Sequence, residues 1–173
     1  MRGLLFILVL FVLTSCWPTK ISFVDGNMPE EWKTYYVTSL ENNAANAPLN
    51  YSATLSEAIR NGIQNNTRLL IDSDSENAQI TIEGTISNYT IAPVALQEDD
   101  NAAKNRLSIT VRFEIFIPAP EEEQIALTSS RFVDYDVSAD IATVESELLT
   151  DINTQIVQDV INKLKHFVNH LDS

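Results

Sequence analysis

Arg106-Leu107-Ser108-Ile109-Thr110-Val111-Arg112-Phe113-Glu114-Ile115-Phe116-Ile117 decides the fold. Leu107, Ile109, Val111, Phe113, Ile115 and Ile117 alternate with Arg106, Ser108, Thr110, Arg112, Glu114 and Phe116. Successive side chains of a strand point to opposite faces, so this period of two describes a sheet with one packed and one polar face. Upstream, Ile80, Ile82, Gly84 and Ile86 alternate with Gln79, Thr81, Glu83, Thr85 and Ser87. Downstream, Ile125, Leu127, Val133, Tyr135 and Val137 follow the pattern less strictly. The long segment Pro93 to Asn105 joins the first two of these strands, and Pro118 to Gln124 turns the chain into the third. Arg131 falls in register with Leu127 and Val133, so either a bulge turns it outward or it is buried and paired.

The flanks read as one strand and two helices. Trp32 to Leu40, with Tyr35 and Val37 in alternation, suits a first strand. Leu55, Ala58, Ile59, Gly62 and Ile63 recur at i, i+3, i+4, i+7 and i+8, the stripe of an amphipathic helix. Thr54 and Glu57 suit a capping box at its start. Gly62 costs that helix about 1 kcal/mol against Ala, which a close packing contact would explain. A last helix over residues 141–169 carries Ile141, Val144, Leu148, Ile152, Ile156, Val160, Leu164 and Phe167, with Leu149, Val157, Ile161 and Val168 widening the stripe. The expectation is an α+β two-layer sandwich, two helices on one face of a four-stranded mixed sheet, in the order β-α-β-β-β-α.

Composition bounds the rest. The chain has 173 residues, 24 Asp/Glu against 11 Lys/Arg and a net charge of −13, with 45% hydrophobic residues. That is one ordinary domain with enough apolar residues for a core. The acidic balance argues against nucleic acid, since phosphate neutralisation needs a basic surface. One cysteine allows neither an internal disulfide nor a Cys-based zinc site.

That cysteine ends a processing signal. Arg2 precedes the apolar run Leu4 to Leu13, and Thr14-Ser15-Cys16 follow. The run falls short of the about 20 residues that span a bilayer. Leu13-Thr14-Ser15-Cys16 resembles the bacterial lipobox, which implies cleavage before Cys16 and its acylation, palmitate included. Residues 1–15 are then a lipoprotein signal peptide, 16–30 a lipid-anchored tether with Pro18, Gly26 and Pro29, and 31–173 a single domain. Losing Arg2 takes the mature charge to −14.

No phosphate loop, G-x-S-x-G or H-E-x-x-H motif is present, and no cofactor is implied. His166 and His170 share the i, i+4 spacing of zinc ligands without a general base between them; two solvent-side histidines are the plainer reading. Asp134-Tyr135-Asp136 and Glu98-Asp99-Asp100 suit a cation or, more simply, solvated surface charge. Lys104, Arg106 and Arg112 occupy even positions along the central strand, on the face away from the helices. Arg106 and Arg112 stand about 20 Å apart at ~3.4 Å per residue. This stripe suits phosphate or carboxylate groups, or else pairs with Glu114, Glu83 or Asp134. The same face carries Thr81, Thr85, Ser87, Ser108, Thr110, Thr128 and Ser130, with Phe116 and Phe132 added. A surface set against a polar barrel lumen has this character.

These residues together resemble the lipopolysaccharide-assembly lipoproteins (LptE), particularly the Bacteroidota form. The likeness is carried by Ile21-Ser22-Phe23-Val24-Asp25-Gly26, Ala53-Thr54-Leu55-Ser56, Asn105-Arg106-Leu107-Ser108-Ile109-Thr110-Val111 and Arg131-Phe132-Val133-Asp134-Tyr135-Asp136, and by the order of the elements. The resemblance implies a non-enzymatic lipoprotein at the periplasmic face of the outer membrane. Such a protein plugs and helps assemble a β-barrel translocon and assists lipopolysaccharide insertion. Trp17 and Pro18, without an acidic residue close behind Cys16, fit periplasmic retention. Lipopolysaccharide contacts are then expected at Lys104, Arg106 and Arg112, and barrel contacts at Thr110, Phe116 and Phe132. The competing expectation is a stand-alone periplasmic lipoprotein that binds a small ligand or envelope component in an aromatic-lined hollow. A hydrolase built on a carboxylate pair is a third.

Overall fold

The computed structural model describes residues 32–94, 103–118 and 122–171, with side chains to 167. Cys16, the tether, Glu98-Asp99-Asp100 and the side chain of His170 lie outside the described residues. The elements are β1 (Thr34–Val37), β2 (Glu41–Asn42), α1 (Tyr51–Asn66), β3 (Leu70–Ile71), β4 (Ile80–Val94), β5 (Lys104–Ile117), β6 (Glu123–Asp136) and α2 (Ile141–Leu171).

The architecture is α+β with a mixed sheet and two helices. Among the described residues the sheet has six strands rather than four, in the order β3-β1-β4-β5-β6, with β2 also on β4. β2 and β3 are two residues each, too short to leave a period in the sequence. β1 runs parallel to β3 and β4, and β4-β5-β6 form an antiparallel meander. α1 packs over β1, β2 and β3, α2 over β6, and the helices pack on each other. Between the layers lies the core, which includes Tyr35, Val37, Leu55, Ile59, Ile82, Ile86, Ile109, Val111, Phe113, Ile152, Ile156 and Leu164, all at most 1% exposed.

β4 runs seven residues past its expected end at Ser87. The register to β5 shifts between Ile86 and Asn88, inserting Ser87 as a bulge whose Oγ donates to the Thr110 carbonyl at 3.2 Å. One extra residue inverts the alternation, so Tyr89 rather than Asn88 turns into the core. Beyond Asn42 this half of β4 pairs with β5 alone, and an open edge tolerates Pro93, which has no N–H to donate.

Both glycines that interrupt apolar stripes answer to close contacts. A Cβ on Gly62 would stand 2.2 Å from Val157 Cγ1, so the missing side chain is what lets α1 approach α2. A Cβ on Gly84 would meet Phe113 Cδ1 at 2.9 Å and Leu40 Cγ at 3.1 Å.

The capping box is not formed. α1 begins at Tyr51, three residues before Thr54, and its N-cap Asn50 makes no side-chain cap. Thr54 instead donates its hydroxyl to the Asn50 carbonyl at 3.1 Å. The earlier start is favoured by Tyr51, which is 1% exposed and donates to Asn153 Oδ1 of α2 at 2.9 Å. The first strand is likewise shorter than Trp32 to Leu40, because Leu40 leaves the ladder to enter the core, where its N–H donates to Ser56 Oγ at 3.0 Å. Val137 lies past the end of β6, exposed in the turn into α2.

Candidate functional site

The face of the sheet opposite the helices is a grid built by register. Across β4-β5-β6 its rows are Thr81-Phe116-Gln124, Glu83-Glu114-Ala126, Thr85-Arg112-Thr128, Asn88-Thr110-Ser130, Thr90-Ser108-Phe132, Ala92-Arg106-Asp134 and Val94-Lys104-Asp136. Hydroxyls dominate its middle. Thr110 Oγ1 and Ser130 Oγ share a hydrogen bond at 3.0 Å, and Asn88 Nδ2 donates to Thr90 Oγ1 at 3.1 Å. Each hydroxyl can donate or accept by rotation, so this part of the face offers hydrogen bonds of either sense. Phe116 is half-buried, while Phe132 is 51% exposed.

The three cations share this face, as their even positions require, but differ in their commitments. Arg106 grips Asp134 with two bonds, Nε to Oδ1 at 2.6 Å and Nη2 to Oδ2 at 2.9 Å, while its Cζ sits 3.8 Å above the Phe132 ring. The guanidinium holds the Asp134 carboxyl below the usual carboxylate range, with Lys104 adding to the effect. Lys104 stands opposite Asp136, whose carboxyl is held low chiefly by the Ser138 hydroxyl and N–H. The acidic pair Asp134 and Asp136 is therefore engaged with neighbours in its own chain. Arg112 is exposed and makes no hydrogen bond or ion pair among the described residues. It lines a groove of about 740 Å³ with Glu41, Glu83, Glu114, Thr38 and Ser39, where the break between β1 and β2 meets the outer sheet face.

Arg131 was the position left open between a bulge and a buried pair. β5 and β6 pair without a shift from Lys104↔Asp136 to Ile117↔Glu123, so Arg131 stays on the helix side. Its Nε donates to Asp159 Oδ2 at 2.8 Å, its Nη2 donates to Oδ1, and Ser129 Oγ adds a bond to Oδ2 at 2.6 Å. Burial would raise the Asp159 carboxyl, but the bonds from Arg131 and Ser129 outweigh it and hold the carboxyl low. This clamp joins β6 to α2 and was missed in sequence, because Asp159 is 28 residues away on another element.

Trp32, Tyr35, Tyr51 and Tyr89 belong to the core rather than to a ligand platform. Trp32 is 2% exposed and stacks on Phe167 at 6.3 Å, and Tyr51 meets Tyr89 edge-on at 6.1 Å. Tyr89 donates to Glu145 of α2 at 2.5 Å. Tyr35 donates to the Arg60 carbonyl at 2.7 Å, and burial pushes its phenol up to about 12. Among the described residues no three His, Cys, Asp or Glu side chains gather into a metal site, and no helix is long and apolar enough to cross a membrane.

The chain is thus a two-layer α+β protein with Trp32, Tyr35, Tyr51 and Tyr89 packed inside and a long hydroxyl-lined sheet face outside. More particularly, the chain belongs to the lipopolysaccharide-assembly family LptE, whose model matches residues 32–164. Membership makes it a non-enzymatic protein of lipopolysaccharide assembly that works with the lipopolysaccharide-transport machinery. No curated protein matches it in sequence. Among solved structures it is similar to uncharacterized lipoprotein B from Nitrosomonas europaea, 17% identical, covering 88% of this chain and 94% of that one with a TM-score of 0.52. It is also similar to the rare lipoprotein B from Shewanella oneidensis, 17% identical over 80% of this chain and 99% of that one, TM-score 0.47. A minor lipoprotein from Acinetobacter baumannii is 18% identical over 78% and 94%, TM-score 0.46.

Proposed function

We propose that the chain is an outer-membrane lipoprotein, acylated on Cys16, that seats its outer sheet face against the inner wall of a β-barrel translocon. There it helps the barrel assemble and helps insert lipopolysaccharide. The observation that carries the reading is the grid: three long strands present a hydroxyl-rich face left uncovered by either helix. Thr110 lies in its middle row, Phe132 in the row beside it and Phe116 in an end row. A polar barrel lumen is the kind of wall such a face complements.

Lipopolysaccharide is anionic, so a mature charge of −14 demands local contacts, screened from acids beyond about 8 Å at physiological salt. Of the three cations, Arg112 is the group whose charge is not already met by a carboxylate in hydrogen-bond reach, and Lys104 and Arg106 share theirs with Asp134. The reading therefore places the main contact at Arg112, with Lys104 and Arg106 assisting.

The test is gentle detergent extraction of the tagged chain from its own outer membrane. A near-equimolar large β-barrel should co-purify, and photo-crosslinkers at Thr110 and Phe132 should capture it. Emergence of the chain alone, under conditions that keep other outer-membrane complexes intact, would transfer support to a stand-alone ligand-binding lipoprotein.

A further inference from the structure

β6 is the last strand of the sheet, and no described strand pairs with its outer edge. A strand of Glu123–Asp136 left this way exposes every second backbone N–H and C=O along its length. Proteins normally blunt such edges with proline, lysine, a bulge or brevity. β6 contains no Pro or Lys and pairs to β5 without a register shift, and its inward-pointing Arg131 is held by Asp159 of α2.

Beside this edge lies a groove of about 590 Å³. Leu127 belongs to the helix side of β6, Thr128 and Ser130 to the outer side, yet all three line it. A hollow that touches residues of both faces runs along the edge itself. Its far wall is α2, which contributes Asn162, Lys163 and His166. Asp159, the acid of this wall, is already spanned by Arg131 and Ser129. Lys163 makes no hydrogen bond or ion pair among the described residues. In a strongly acidic chain, the groove is thus locally cationic.

We propose that β6 is a docking edge for an extended segment of a partner protein, added as an antiparallel or parallel strand. On the helix side that segment presents apolar residues flanking one carboxylate, which meets Lys163. Backbone bonds supply the attachment and the carboxylate supplies the choice of register. This holds whether or not the outer sheet face seats in a barrel, since edge and face are different surfaces.

The probe is the labelled peptide acetyl-Thr-Val-Thr-Glu-Thr-Val-Thr-amide, titrated against the full chain in detergent by fluorescence anisotropy and followed by amide hydrogen exchange. The expected result is saturable binding with new protection of alternate amides between Ile125 and Arg131. A peptide with Lys in place of the central Glu should bind about tenfold more weakly. In the Lys163→Glu variant, which changes a side chain on the helix surface, that preference should reverse. Peptide N-methylated at alternate positions should lose binding, because the methyl groups remove the donors that join the strand. Equal affinity for the Glu and Lys peptides, undiminished binding of the methylated one, protection elsewhere than β6, or no binding up to about 1 mM would each overturn the proposal.

Discussion

Replacing Gly62 by Ala should destabilise the protein, although Ala is the better helix former. The substitution gains about 1 kcal/mol of helix propensity. Against that, the new Cβ would lie 2.2 Å from Val157 Cγ1 and 3.4 Å from its Cβ and Cγ2. Carbon atoms rest at about 3.5–4.0 Å, so the overlap exceeds an ångström. Val157 cannot easily rotate away, since β-branched side chains in helices hold one rotamer. Overpacking of this kind costs about 1–3 kcal/mol, leaving a net loss of about 1 kcal/mol. With a urea slope of about 2 kcal/mol/M, the unfolding midpoint should fall by roughly 0.5 M. The decisive comparison is with Val157→Ala, which alone should cost about 2 kcal/mol for two buried methyl groups. On that background Gly62→Ala should become stabilising by about 1 kcal/mol, because the space is vacated and the propensity gain remains. Far-UV circular dichroism in urea on the four variants reads the cycle. Additive effects, or a stabilising Gly62→Ala in the parent chain, would show that α1 and α2 do not meet through Gly62.

Three further outcomes follow from the same geometry. Asp159→Asn should lower stability at pH 7 through loss of the Arg131 and Ser129 bonds; because the native carboxyl sits below its unfolded value, the parent's advantage is complete above about pH 4 and disappears as pH falls through the native value, which acid unfolding of both proteins measures. Tyr51→Phe should cost about 1–3 kcal/mol, read by thermal or urea unfolding, since it leaves the buried Asn153 oxygen without its donor; Tyr36→Phe, a half-buried phenol, should be near neutral. Arg112→Ala should weaken lipopolysaccharide binding more than Arg106→Ala, and Lys104→Ala with Arg106→Ala together should weaken it further than either alone; titration showing all variants unchanged would remove this face as the contact.

Much of the fold was legible because the meander has one wet and one dry face. Period-two alternation marked Ile80 to Ile86 and Leu107 to Ile117, and the helix stripes at Leu55 to Ile63 and Ile141 to Phe167 fell where α1 and α2 form. The same alternation placed Lys104, Arg106 and Arg112 on one face, and the register keeps them there. What escaped was short or phase-shifted. β2 and β3 are a single two-residue period each, and the bulge at Ser87 inverts the pattern that would have revealed Asn88 to Val94 as strand. The start of α1 escaped for another reason: Thr54 and Glu57 match a capping pattern locally, but burial of Tyr51 against α2 outweighs it.

In β5, the first half of β4 and the two helix stripes, the sequence alone determined which side chains face water and which face the core, because strand and helix periods are properties of the local backbone. It also determined the family resemblance, which the match over residues 32–164 carries. Only tertiary structure decided partners. Whether Arg106 is spent on Asp134, whether Arg131 reaches Asp159, and whether Gly62 stands against Val157 depend on residues 28, 28 and 95 positions away. Such pairings are set by register across strands and by the approach of two helices, and no local period encodes either.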